Sequence, residues 1–145
     1  MNNQSGNTVL YINERPTYSD FTFYFRDLST ITDNFYFSEN IKDKWKMLTF
    51  VYDGNNVRFF EDAKELTPIP AVGQLRGTDS CTMRIGNLTT YWLNGRLDNI
   101  RIYDSAIPIS QIREQYYSGL EKLLANGGIT EEEYLDRTKD LANNH

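Results

Sequence analysis

The hydrophobic period of the chain changes once, near residue 104, and that change restricts the fold to sheets followed by helices. Upstream, apolar side chains recur at every second position. Phe21, Phe23 and Phe25 alternate with Thr22, Tyr24 and Arg26, and Phe35 and Phe37 alternate with Tyr36 and Ser38. This is the rhythm of a strand with one buried face. Segments 7–13 and 96–103 read the same way, the latter with Ile100 and Ile102 opposed to Arg101 and Tyr103. Segment 45–52, opening at Trp45, is apolar on both faces, which predicts a central strand covered on two sides. Asp53-Gly54-Asn55-Asn56 then joins it to a strand at 57–62 as a hairpin. Residues 63–79, with Pro68, Pro70, Gly73 and Gly77, read as a long loop before a strand at 81–86. Seven short strands with no intervening helix predict an antiparallel β-sandwich or jelly roll, mainly β in class.

Downstream the spacing becomes helical. Ser110, just after Pro108, is the expected N-cap, and Ile112, Tyr116, Leu120, Leu123 and Leu124 fall on one helical face. Gly127 and Gly128 end that helix. A second opens with Thr130 reaching Glu133 in a capping box, a staple of Ile129 on Tyr134, and three glutamates at the positive end of the helix dipole. Neither helix is long enough to stand unaided, so the pair must pack on itself, on the sheet or on a partner. The division expected is a sandwich over residues 1–108 and a helical hairpin over 109–145.

With 145 residues, eight Phe and ten Tyr, the chain is too aromatic for disorder and large enough for one core. Its formal charge of -5 argues against nucleic acid and anionic membrane surfaces, which require clustered Lys and Arg. Cys81 is the single cysteine, so no internal disulfide forms, and its register with Met83 and Ile85 reads as a small buried residue. No stretch approaches the roughly 18 apolar residues of a membrane span, and residues 1–10 lack the basic and apolar regions of a signal peptide.

Taken in order, "WKMLTFVYDGNNVRFFEDAKEL" from Trp45, "MRIGN" from Met83 and "NGRLDNIRIYDSAIPISQIREQYYSG" from Asn94 resemble the second half of a laminin-G-like jelly roll of the concanavalin A-like lectin/glucanase fold. Two departures stand out. Asp62-Ala63 replaces the family's usual Asp-Gly, which puts a tight positive-φ turn there in doubt. The resemblance also implies further strands before residue 9, so the expected sandwich is incomplete at its N-terminal side and has open edges. The segment "LEKLLANGGITEEEYLDRTKDL" resembles a SHOCT-type helical hairpin, which implies self-association through residues 110–145.

Some relatives on this fold are glucanases, whose hydrolysis needs two carboxyls roughly 5 Å apart on a strand. The acidic cluster here, Glu131 to Glu133, sits instead at a helix start, where capping accounts for it. His145 is the single histidine, which excludes Ser-His or Cys-His machinery within one chain and, with one cysteine, a conventional zinc site. Gly73, Gly77 and Gly86 lack a phosphate-cradling spacing. Calcium is the one cofactor kept as a candidate, because relatives bind it through loop oxygens and Asp53, Asp62, Asp79, Asn87 and Asp98 lie at or near strand ends. For Asp98 a structural role, accepting loop amides at the core rim, competes with ligation.

Carbohydrate recognition needs an aromatic platform beside hydrogen-bonding groups. Tyr91 and Trp92 are the leading candidates, although the family places a large apolar residue at the position of Trp92 to plug the sandwich. Tyr24, Tyr36, Arg101 and Tyr103 lie opposite apolar strand faces and join the candidate set. The resemblance thus implies a non-catalytic recognition or adhesion module of an extracellular or cell-surface protein, with a glycan or a surface protein as partner. A structural subunit of a surface or pilin-like assembly, using the tail and sheet edges, is the second expectation.

Overall fold

The structure, a computed structural model, describes residues 9–14, 19–24, 28–29, 32–37, 39–75, 85, 87–88 and 91–143. Strands β1 (Val9–Glu14), β2 (Ser19–Tyr24) and β3 (Thr32–Tyr36) form an antiparallel sheet in the order β1-β2-β3. A second antiparallel sheet contains β4 (Leu48–Tyr52), β5 (Asn56–Glu61), β6 (Lys64–Glu65) and β7 (Ile69–Pro70). Here β4 runs along β5, while β6 and β7 pair with its two ends. A two-residue ladder joins β8 (Asn87–Leu88) to β9 (Tyr91–Trp92). Helices α1 (Ile109–Ala125) and α2 (Glu131–Ala142) follow. No helix among the described residues is long and apolar enough to cross a membrane.

The period-two phenylalanines build the layer between the two sheets. Phe23, Phe35 and Phe37 meet Val57 and Phe59 in a buried cluster, with the Phe35 and Phe59 rings stacked at 5.3 Å and Phe37 edge-on to Phe59 at 5.7 Å. Such aromatic pairs add roughly 1 kcal/mol each beyond their buried area. The opposite face of the second sheet is also covered. Val51 of β4 and Phe60 of β5 pack against Ile112, Tyr116 and Leu120 of α1 and Leu141 of α2. That double coverage explains why residues 45–52 are apolar on both faces, and each fully buried Leu or Phe contributes about 2 kcal/mol. The helical hairpin therefore completes a core of its own with the sheet, as the third layer of the described fold.

Local chemistry fixes the helix ends. The extended Pro108, φ -71°, begins α1, and its carbonyl accepts from the Gln111 and Ile112 amides. Ser110 is thus inside the helix and not its cap, because the proline supplies the pre-set N-terminal geometry. At the other end, Gly127 takes φ 68°, and the Gly127 and Gly128 amides bond back to Leu124 and Leu123. Thr130 Oγ1 accepts the Glu133 amide at 3.1 Å, as the capping box requires. The Glu133 carboxylate turns instead to Arg137 at 2.6 Å.

Several strand expectations differ from the structure. Residues 96–103 form no strand: Ile100 and Ile102 are 54% and 71% exposed, and Asn99 holds φ 53°, which breaks an extended run. Part of the expected 63–79 loop pairs as β6 and β7, because Leu66 and Ile69 can pack on the phenylalanine layer. The central place goes to β5, which is paired on both sides, whereas β4 has one described neighbour. The Asp62-Ala63 turn forms despite the alanine, with φ 51° and 61°. Of the 81–86 strand only Ile85 is described, and it is exposed; Cys81, Met83, Asp79 and His145 lie outside the described residues.

Candidate functional site

The turn at Asp62-Ala63 organises the charged chemistry of the molecule. Left-handed backbone at a residue with a β-carbon costs about 1 kcal/mol, so something must hold it. Asp62 is held on both sides: its amide donates to the Met47 carbonyl at 2.9 Å, and its Oδ1 accepts the Met47 amide at 2.9 Å. Its other carboxylate oxygen meets Lys46 Nζ at 2.9 Å, and the same ammonium reaches Glu61 Oε1 at 2.8 Å and Glu39 Oε1 at 3.0 Å. Burial alone would push the Lys46 ammonium down, but hydrogen bonds to Glu61 and Asp62 overcome it and hold the group well above the usual lysine range. Glu39 receives Lys44 as well, and hydrogen bonds from Lys44 and Lys46 keep its carboxyl below the ordinary range.

This hub anchors residues 39–46 beside the helical hairpin and leaves a cleft of about 380 Å³ between them. Glu39, Asp43, Lys44 and Trp45 form one wall, and Gly128, Ile129, Glu133 and Arg137 the other. Arg137 ties the walls together, donating from Nη1 to the Trp45 carbonyl at 2.8 Å and from Nη2 to Glu133 at 2.6 Å. Gly128 keeps the bottom open. A β-carbon there would lie 3.1 Å from Leu123 Cδ2 and 3.7 Å from the Trp45 indole nitrogen. The cleft therefore offers one indole, carboxylates, an ammonium and a guanidinium whose positions are set by ion pairs.

A second, more open cleft of about 320 Å³ separates residues 101–103 from α1 and is lined by Arg101, Tyr103, Gln111, Glu114, Gln115 and Ser118. Gln115 Nε2 donates to the Tyr103 hydroxyl at 2.8 Å. Arg101 and Tyr103, two candidates from the sequence, are thus brought together. The other four are elsewhere. Tyr36 is exposed on β3, and Tyr24 occupies the register position opposite Thr32, at the other end of that strand. Tyr91 and Trp92 belong to β9, not to a loop, opposite Leu88 and Asn87.

The calcium candidates that the structure describes, Asp53, Asp62, Asn87 and Asp98, lie on separate elements. Asp53 Oδ1 accepts the Asn55 and Asn56 amides at 3.0 and 2.8 Å, and these bonds hold its carboxyl below the ordinary range as they close the β4–β5 hairpin. Asp62 is committed to Lys46 and Met47. The two stand at opposite ends of β5, about 20 Å apart for six residues of strand. Asp98 is exposed and accepts the amide of its neighbour Asn99 at 2.7 Å, and Asn87 lies in β8. Among the described residues no three His, Cys, Asp or Glu side chains come together for a metal ion.

The Trp45 cleft was not legible from the sequence, because its walls are some 90 residues apart and Trp45 reads as the first residue of a strand. The local signal is the alternation of charge around the indole, Asp43-Lys44-Trp45-Lys46, which places a large aromatic in a polar setting.

Comparison with known proteins gives one family. The laminin G family model described as the concanavalin A-like lectin/glucanases superfamily matches residues 2–113, from before β1 to within α1. No curated protein matches the chain. Among solved structures, an S-layer domain-containing protein (residues 221–444) from Clostridium thermocellum ATCC 27405 is similar at 11% identity and a TM-score of 0.44. The similarity covers 80% of this chain and 66% of that one, just under two-thirds of its length.

Proposed function

The chain belongs to the laminin G family of the concanavalin A-like lectin/glucanases superfamily, and on that footing we propose that it is a non-catalytic recognition module of a surface-associated protein, binding glycans in the Trp45 cleft. The observation that carries this reading is the pairing of an indole with fixed charged groups around one open volume. A sugar ring presents an apolar face that stacks on an aromatic and a rim of hydroxyls that bond to carboxylates and guanidinium. Lys44, Lys46 and Arg137 pre-position those groups, so less ordering entropy opposes binding.

Hydrolysis is the poorer reading of the same cleft. A glycosidase needs a carboxylic acid held protonated near neutral pH. Glu39 is shifted the opposite way, and Glu133 is ion-paired to Arg137.

The test is a glycan panel read against the intact protein, Trp45→Ala and Asp43→Asn. Binding weakened at least tenfold by Trp45→Ala, about 1.4 kcal/mol, with product formation absent, supports recognition. Binding to the panel that survives Trp45→Ala unchanged removes the cleft from the reading.

A further inference from the structure

The segment 96–104, which has no strand partner among the described residues, carries an interaction that the glycan reading does not use. Among the described residues, no backbone group of 96–103 pairs with another backbone group, and the Asn99 amide is taken by its neighbour's carboxylate. Leu97, Ile100, Ile102 and Tyr103 are all exposed. A strand-patterned run with free backbone donors and acceptors and exposed β-branched side chains is a template for another strand.

From this we propose that residues 96–104 pair antiparallel with the same residues of a second copy, around a two-fold axis at Ile100. The sequence is self-complementary in that register. Ile100 meets its own copy, with Ile102 of each strand diagonally beside it, so four isoleucines form a continuous patch on one face. On the other face Leu97 lies opposite Tyr103. Arg96 lies opposite Asp104, an opposite-charge pair repeated at both ends by the symmetry. Asp98 against Ile102 is the one mismatched pair. A register centred on Asn99 would oppose Leu97 to Arg101 and Arg96 to Ile102, and one centred on Arg101 would oppose two guanidinium groups. The Ile100 register is therefore favoured by charge and by apolar contact together.

Asn99 is the gate. Its left-handed φ of 53° kinks the segment in the isolated chain, and it must become extended to pair. Asparagine adopts either conformation at small cost, whereas a β-branched residue strongly disfavours the kink.

Sedimentation velocity over micromolar to millimolar protein tests this, with circular dichroism confirming that each variant is folded. The wild-type chain should show a reversible monomer–dimer equilibrium. Asn99→Val should tighten it about tenfold. Ile100→Lys, which sets two ammonium groups against each other on the axis, should abolish it. Arg96→Asp should weaken it, and the charge swap Arg96→Asp with Asp104→Arg should restore it. A chain that stays monomeric in both wild-type and Asn99→Val forms overturns the proposal. So does a dimer indifferent to Ile100→Lys, or one that the charge swap fails to rescue.

Discussion

The carbonyl of Trp45 accepts a hydrogen bond of 2.8 Å from Arg137 Nη1, across 92 residues of sequence. It joins the strand-entry loop to α2 and fixes the width of the cleft. A hydrogen bond from a charged donor at a half-buried site contributes about 2 kcal/mol. Arg137→Met should lower unfolding free energy by that amount in urea titrations, while Glu133→Gln, at the more exposed partner, should cost under about 1 kcal/mol. Equal effects would show that the ion pair, and not the Trp45 bond, holds α2.

Lys46 stands between two carboxylates that are almost wholly buried, Glu61 and Asp62, each within 2.9 Å. Removing the ammonium takes the shared cation from between two like charges. Lys46→Met should destabilise the protein by about 3–5 kcal/mol, measured by denaturant unfolding. A cost below about 1 kcal/mol would mean that the carboxylates had found water or other partners.

Ala63 is fully buried at φ 61°, so two opposing terms meet in one residue. Ala63→Gly relieves about 1 kcal/mol of backbone strain but loses a buried methyl and adds unfolded-state freedom, each of similar size. Its unfolding free energy should stay within about 1 kcal/mol of the wild type's. Ala63→Val adds bulk and branching to a left-handed site in the core and should cost about 3 kcal/mol. Thermal melts of the pair decide whether the turn is held by its side-chain contacts.

The pH dependence has two limbs. Glu39, through Lys44 and Lys46, and Asp53, through the Asn55 and Asn56 amides, have folded pKa values below their unfolded ones. Their contribution is complete above about pH 5, beyond the unfolded values, and is lost as pH falls through the folded values. The Tyr116 phenol moves the other way: burial and the Asp62 charge push it up to about 12. Its contribution is complete below about pH 10 and is lost between about 10 and 12. The melting midpoint should therefore be flat between these limbs, and Tyr116→Phe should reduce the alkaline one, leaving the part that the Lys46 ammonium, also raised in the folded state, loses above its unfolded value, while the acid limb stays as it is. An alkaline limb unchanged in Tyr116→Phe would assign it elsewhere.

How much of this was legible in the sequence depends on whether the signal was local. Phe23, Phe35 and Phe37 announced the inter-sheet layer through simple alternation. Ile112, Tyr116 and Leu120 announced the helix face, and Gly127 and Thr130 announced its boundaries. Residues 96–103 carried an equally good strand pattern, yet pairing needs a neighbouring edge that no local pattern supplies, and Asn99 turns left-handed without one. Ala63 misled for the converse reason: its turn is held by Met47 and Lys46, partners distant in sequence. The Trp45 cleft depends on where α2 docks, and periodicity reports that a helix has an apolar face but not which loop it will lie beside.

Ligand is proposed to bind where Trp45 faces the helical hairpin. The most direct test is a proton–nitrogen correlation spectrum titrated with the tightest glycan from the panel. The chain has two tryptophans, so two indole signals are to be followed. The Trp45 indole signal should move with saturation, together with the Gly128 and Ile129 amides, while the Trp92 indole stays in place. Saturating shifts confined to Trp92, or to residues 101–118, with the Trp45 indole unmoved, would contradict it.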